Sequence, residues 1–328
     1  MKIYYHPERQ PWIIDRIGKE FQDFSKNEVK LTFTQSEIFG FDLVWLGDSN
    51  SWRMITPDEE ELIKFYLETP VVCTIHHIVP WKWNEQKYVE FMTRDYFVDV
   101  YHVPCQQTHD IIRSLTEKPI KILGYWVNSD LWKYREREEI RKKYESLFNI
   151  SSDKFVVGSF QRDTEGHDLE SPKLEKGPDI FCGYVEKLVE EGKDVHVLLN
   201  GHRRQYVINR LEGNGIPHTY VEMPPMPMVS EMYSACDLYV VGSRVEGGPQ
   251  SILECAISKI PIVSTDVGIA SKVLPKSCIL DMNMRKEYDT YMPTQEDIDI
   301  AFNNAQSLIL KDHVKNYDDF FEEVLRMK

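Results

Sequence analysis

The chain of 328 residues has no apolar run of 18 residues or more, which excludes a helix that spans a bilayer. Its opening residues, MKIYYHPERQPW, lack the apolar core of a secretory signal, so the expectation is a soluble, cytoplasmic protein with no integral membrane segment. Cysteine is scarce: Cys73, Cys105, Cys182, Cys236, Cys255 and Cys278 are scattered, with no C-x-x-C pair. That pattern fits reduced, buried thiols rather than a disulfide framework or a zinc site. Positive charge is short as well, with 39 Lys and Arg against 53 Asp and Glu and a net charge of −14. A nucleic-acid backbone or an anionic membrane surface is therefore excluded as the principal partner, though a local basic pocket is not. There is no solenoid-length repeat and no low-complexity linker.

What is present reads as alternating strands and helices. KIYY, VKLTFT, DLVWLG, VVCTIHH, VDVYHV and IKILGYWV are short apolar strands, with helical stretches such as WIIDRIGKEFQDF and PDEEELIKFYLE between them. Such alternation predicts a parallel sheet. A charged helix, YREREEIRKKYESLF, leads into a second half that repeats the pattern, and HVKNYDDFFEEVLRMK closes the chain as an amphipathic helix. The length suits two domains, expected at 1–133 and 134–311, with a terminal helix at 312–328 packed back on the first.

The densest chemical signal is VVGSRVEGGPQSILECAISKIPIVSTDVG. DLYVVGS and PIVSTD are strand-length apolar runs, and SILECAISK between them has helical spacing. Gly247, Gly248, Pro249 and Gln250 thus form a turn at the carboxyl end of a strand and the amino end of a helix. Ligands bind at that edge of open α/β sheets, and free N–H groups with the helix dipole favour a phosphate there. Glu254, one helical turn inside, is placed to reach the ribose hydroxyls of a nucleotide, and Glu246, at the strand end, the hydroxyls of whatever the phosphate carries. An ordinary turn with a helix-capping acid would look similar at this level.

E-G-G-P-x-x-x-L-E followed by I-P-I-V-S-T-D-V-G resembles the donor-site motif of family 4 of the retaining glycosyltransferases, which have the GT-B fold. FVVGSFQRD, EKGPDIF, VHVLLNG and MYSACDLYVVGSRVEGG are similar to the family's segments in the same order, and TIHH to its histidine loop. ILGYWVNSDLWKY resembles the segment ending in N-G-V-D, with Gly124 and Tyr125 in place of the asparagine and glycine. The resemblance implies two Rossmann-like parallel-sheet domains facing each other across a cleft. It implies transfer of a sugar from a UDP- or GDP-linked donor to a hydroxyl acceptor such as a sugar or glycan, with retention and without a metal or other cofactor. It assigns Glu246, His76 and Lys176 to catalysis, and Glu254, the 247–250 turn and Lys176 to the donor. Arg162 and Lys173 compete for the second diphosphate cation. Trp81 and Trp83, in VPWKWNEQ, are candidates to stack on the acceptor, while Trp45 and Trp126 are expected in the core. Asp297 and Asp299 superficially match a D-x-D metal motif but sit near the start of a polar helix, where acids complement the dipole. Two other readings compete: a glycosidase, which would also need two carboxylates, and a degenerate GT-B protein that binds nucleotide or glycan without turnover.

Overall fold

The computed structural model describes residues 1–8, 13–32, 38–48, 60–280 and 290–327. Trp12 and Trp52 lie outside them, as do the ends of four segments read above as strand or helix. The chain forms two compact units, Met1–Trp126 with Leu310–Lys328, and Val127–Ile309.

In unit 1 the strands are β1 (Lys2–His6), β2 (Glu28–Leu31), β3 (Leu43–Leu46), β4 (Val71–Thr74), β5 (Val100–Val103) and β6 (Ile120–Ile122). They pair in parallel in the order β2-β1-β3-β4-β5-β6. The helices between them are α1 (Ile13–Phe24), α2 (Glu60–Glu68), α3 (Glu85–Asp95) and α4 (Gln106–Arg113). β3, β4 and β5 are buried along their whole length, as strands covered on both faces must be. The order reverses between β1 and β3, so the carboxyl ends of those two strands mark the unit's switch point.

Unit 2 repeats the design with β7 (Phe155–Ser159), β8 (Val195–Gly201), β9 (His218–Glu222), β10 (Leu238–Val241), β11 (Ile262–Thr265) and β12 (Ile279–Leu280). All pairs are parallel, in the order β12-β11-β10-β7-β8-β9. This is the doubly wound dinucleotide-binding order, and its switch point falls between β7 and β10. Its helices are α5 (Arg137–Lys143), α6 (Glu145–Phe148), α7 (Pro178–Glu190), α8 (Gln205–Gly213), α9 (Met226–Ser234), α10 (Gln250–Ser258), α11 (Ala270–Val273) and α12 (Gln295–Ala305). The charged helix expected over 134–148 is broken at Tyr144, which leaves helical dihedrals at φ −110° and ψ 21°.

The last helix, α13 (Leu310–Leu325), belongs to unit 1. It buries Leu310, Val314, Tyr317, Phe320, Phe321 and Val324 in one core with Ile3, Phe21, Trp45 and Trp126. Asp318, also buried on this helix, accepts from Asn27 Nδ2 at 2.8 Å and bonds the Ser25 hydroxyl. Trp45 and Trp126 are core residues, 2% and 1% exposed. The boundary at 126/127 lies upstream of residue 133 because Trp132 is buried against Tyr233 of unit 2, ring centroids 5.4 Å apart. All six cysteines are free thiols and buried. Burial pushes the Cys73, Cys182 and Cys278 thiols up to about 12, which makes them inert.

Candidate functional site

The site in unit 2 is assembled at the switch point. The chain leaving β7 runs through a long loop to a single 3₁₀ turn, Leu174–Lys176, and then into α7. Gly177 joins the turn to the helix at φ 57°, and Pro178 occupies the first helical position, where a missing N–H costs nothing. A Cβ on Gly177 would lie 1.7 Å from the carbonyl oxygen of Gly242, just past β10. The two backbones therefore touch, and only glycine lets them. The amides of Arg244 and Val245 donate to the Glu175 carbonyl at 2.9 and 3.1 Å, and Arg244 grips Asp179 with both ends of its guanidinium at 2.7 and 2.6 Å. Despite partial burial, that fork holds the Asp179 carboxyl below its usual range. The lysine turn and the loop after β10 are thus one fastened unit.

That fastening brings Lys176 and Glu246 into an ion pair between Nζ and Oε1, their side chains 22% and 10% exposed. The Ser243 hydroxyl lies 3.3 Å from the same carboxylate oxygen, and Gln161 Nε2 holds the Lys176 carbonyl at 2.9 Å. On the other side of the loop, Gly268 takes φ 58°, and a Cβ there would lie 2.5 Å from the Gly247 oxygen and 2.9 Å from Pro249. The D-V-G after β11 is thus the backstop for the E-G-G-P turn. Pro249 is the N-cap of α10, so the helix's first N–H groups face this loop, where an anion is favoured. Glu254, 5% exposed, accepts from the Tyr233 hydroxyl at 2.8 Å. The carboxyl ends of β10, β11 and β12 also open on a cavity of about 480 Å³, lined by Ser243, Arg244, Thr265, Asp266, Val267 and Lys276 among others.

The two competing cations differ in setting. Arg162 is half-buried and donates through Nε to the Thr164 carbonyl at 2.9 Å, and it forms no ion pair among the described residues. Lys173 Nζ lies 3.7 Å from Glu175 Oε1. The loop that carries Arg162 is anchored by a pair that sequence reading did not find. Arg204, fully buried, pairs through Nε with Asp163, also buried, and donates to the Asn200 carbonyl at 2.7 Å and the Ser159 hydroxyl at 3.1 Å. Thr164 adds a bond to Asp163 Oδ1 at 2.7 Å and accepts from the Tyr206 amide at 2.9 Å. No local pattern reveals a pair 41 residues apart.

In unit 1 the candidates take a different form. His76 follows β4, and both its ring nitrogens are engaged: Nε2 with the Gly47 carbonyl at 2.9 Å, Nδ1 with the Tyr125 hydroxyl. A carbonyl can only accept, so Nε2 carries a proton, and in the neutral ring the tyrosine donates to Nδ1. Tyr125 is thus a partner of the site histidine, at a position where the resemblance led to glycine. Behind them His102 bridges the Thr74 hydroxyl (3.0 Å) and the Leu123 carbonyl (2.8 Å), and burial lowers its pKa to about 4. The two tryptophans part company. Trp81, on the turn Pro80–Lys82, is 51% exposed, whereas Trp83 packs edge-on against Phe91 in the core. Asp297 is the acid of a capping box with Thr294 and also accepts from Ser277 and Tyr291, both at 2.6 Å. Among the described residues no three His, Cys, Asp or Glu side chains group to hold a metal.

Residues 169–280 match the family model of the glycosyl transferases group 1. No curated relative matches the chain. Among solved structures, HepE of Anabaena in complex with UDP and glucose superposes with a TM-score of 0.74 at 14% identity, over 98% of this chain and 100% of that one. Sucrose-phosphate synthase of Thermosynechococcus elongatus gives 0.72 at 10% identity over the whole of both chains. A glycosyltransferase of Rickettsia africae gives 0.66 at 12%, over 100% and 99%. The fold is GT-B: two six-stranded parallel sheets with flanking helices. The family match lies wholly inside unit 2 and spans Lys176, Glu246, the 247–250 turn and Glu254.

Proposed function

We propose that the protein is a glycosyltransferase that takes a sugar from a UDP- or GDP-linked donor, keeps the anomeric configuration, needs no metal and passes the sugar to a hydroxyl acceptor, a sugar or glycan. The observation that carries this reading is the Lys176–Glu246 pair on two fastened loops at the switch point, beside the N-terminus of α10. In the bound state Lys176, with Arg162 or Lys173, and the first amides of α10 take the diphosphate. Fixed charges and N–H groups of this kind stabilise a departing diphosphate without reorganising. Glu254 faces the ribose, and Glu246 the sugar hydroxyls. The bond from the anomeric carbon to the diphosphate oxygen breaks, the acceptor oxygen bonds to that carbon, and the acceptor proton passes to the leaving phosphate on the same face. His76 enters with its ring held by Tyr125 and Gly47. Trp81, the exposed one of the two tryptophans, is the better acceptor platform. That HepE was captured with UDP, glucose and UDP-glucose supports a UDP donor for this chain.

The reading is tested by incubating the protein with a panel of UDP- and GDP-sugars, with and without EDTA, and following free nucleotide release. Release from one donor at equal rates in both conditions is expected. No release from any donor, with nucleotide still bound, would leave the degenerate binding protein. Release abolished by EDTA would remove the metal-independent mechanism.

A further inference from the structure

Lys176 and Glu246 are assigned above to different parts of a donor, yet they hold each other in one ion pair. The contact is built in. Lys176 stands on a turn locked by the Gly177–Gly242 contact and by two amide bonds to the Glu175 carbonyl, and Glu246 on a loop backed by Gly268. The backbones that carry the two side chains are held in place by these contacts.

We propose that this pair makes Glu246 a specificity-determining residue that favours the sugar-carrying nucleotide over the free one, an inference that rests on the function proposed above. A nucleoside diphosphate that recruits Lys176 must take it from Glu246. That withdraws the cation from a carboxylate only 10% exposed and brings phosphate charge beside it. Burying a charge whose cation has been withdrawn is costly, and a like charge within a few ångströms adds to the cost. A nucleotide sugar removes the penalty, because its hydroxyls donate to Glu246 as the phosphates recruit Lys176. After transfer the sugar is gone, Glu246 again competes for Lys176, and the free nucleotide is expelled. One ion pair thus sets both retention of the loaded donor and release of the spent one.

The experiment is calorimetric titration of wild type and Glu246→Gln with UDP, UDP-glucose, GDP and GDP-mannose. Glutamine keeps the shape and removes the charge. With the nucleotide the protein accepts, the variant is expected to bind the free diphosphate about tenfold tighter than wild type, since the competing charge is gone. Its affinity for the nucleotide sugar should stay level or fall, so the preference for the loaded form collapses. Glu246→Ala should move free-nucleotide affinity in the same direction, and it answers the question if the glutamine variant does not fold. If wild type binds nucleotide and neither variant binds it tighter, this inference is overturned while the proposed function stands. If folded wild type binds none of the four, the proposed function falls and the inference with it.

Discussion

The two units share a parallel six-stranded design but have opposite chemistry at their carboxyl edges. In unit 2 the edge is built from charges and close-packed glycines: Lys176 with Glu246, Arg204 with Asp163, Gly177 against Gly242, Gly268 against Gly247. In unit 1 the described part of the edge is mostly histidine and aromatic rings: His76 with Tyr125, His102 with Thr74 and Tyr317, Trp45 donating to Thr74 at 2.8 Å, with the buried Asp48 two residues past β3. Two parallel six-stranded sheets of different strand order thus carry edges of different chemistry. Topology fixes where a ligand sits, and side chains fix which ligand.

This contrast can be broken by substitution, and the largest effect belongs to Arg204. Arg204→Met leaves Asp163 buried without its cation and should destabilise unit 2 by about 3–5 kcal/mol. In urea unfolding, a unit 2 transition unmoved by that change would show the pair to be dispensable. Next comes Gly177→Ala, which meets both a left-handed backbone and the Gly242 carbonyl, a cost of about 3 kcal/mol. Gly192→Ala has φ 87° but open space, so about 1 kcal/mol is expected. Equal costs for the two would mean that the loops are not fastened by contact.

Unit 1 should instead respond to pH. His102 is neutral when folded, with its pKa lowered to about 4 by burial against an unfolded value near 6.5, and His76 and His313 nearby oppose its charging further. The unfolded chain therefore binds its proton first. Stability from this group is complete above about pH 6.5 and is lost as pH falls towards 4, by about 2–3 kcal/mol in all. His102→Gln should flatten the fall in unit 1 stability between pH 7 and 4.5 relative to wild type, and an unchanged slope would refute the assignment. The smallest effect is local. Tyr125→Phe removes one hydrogen bond, about 1 kcal/mol, and should shift the Nδ1 resonance of His76 while Nε2 stays protonated against the Gly47 carbonyl. An Nδ1 shift unchanged in the variant would take Tyr125 out of that role.

The contrast also explains what could be read from the sequence. In unit 2 the site depends on backbone contacts that only glycine permits, so E-G-G-P, the glycine of E-K-G-P and that of D-V-G stand out as letters. In unit 1 the same structural position is held by tyrosine, histidine and a carbonyl, residues that occur everywhere in cores. Tyr125 looked like a departure from the pattern, and its hydroxyl against His76 gives it a role beyond packing in the core. Trp83 and Trp81 are two residues apart in one polar stretch, and nothing local says that one turns into the core. The Asp163–Arg204 anchor is invisible because its partners lie on different strand-end loops.

The central claim is that unit 2 holds a nucleotide sugar on Lys176. Titration of UDP-glucose and GDP-mannose into wild type and Lys176→Met, each shown to be folded by its melting curve, tests it most directly. Loss of a charged hydrogen bond to phosphate costs about 1.5–3 kcal/mol, so the variant should bind the accepted donor roughly 10- to 150-fold more weakly. Binding by wild type of neither donor, or binding by the variant as tight as by wild type, would contradict the account.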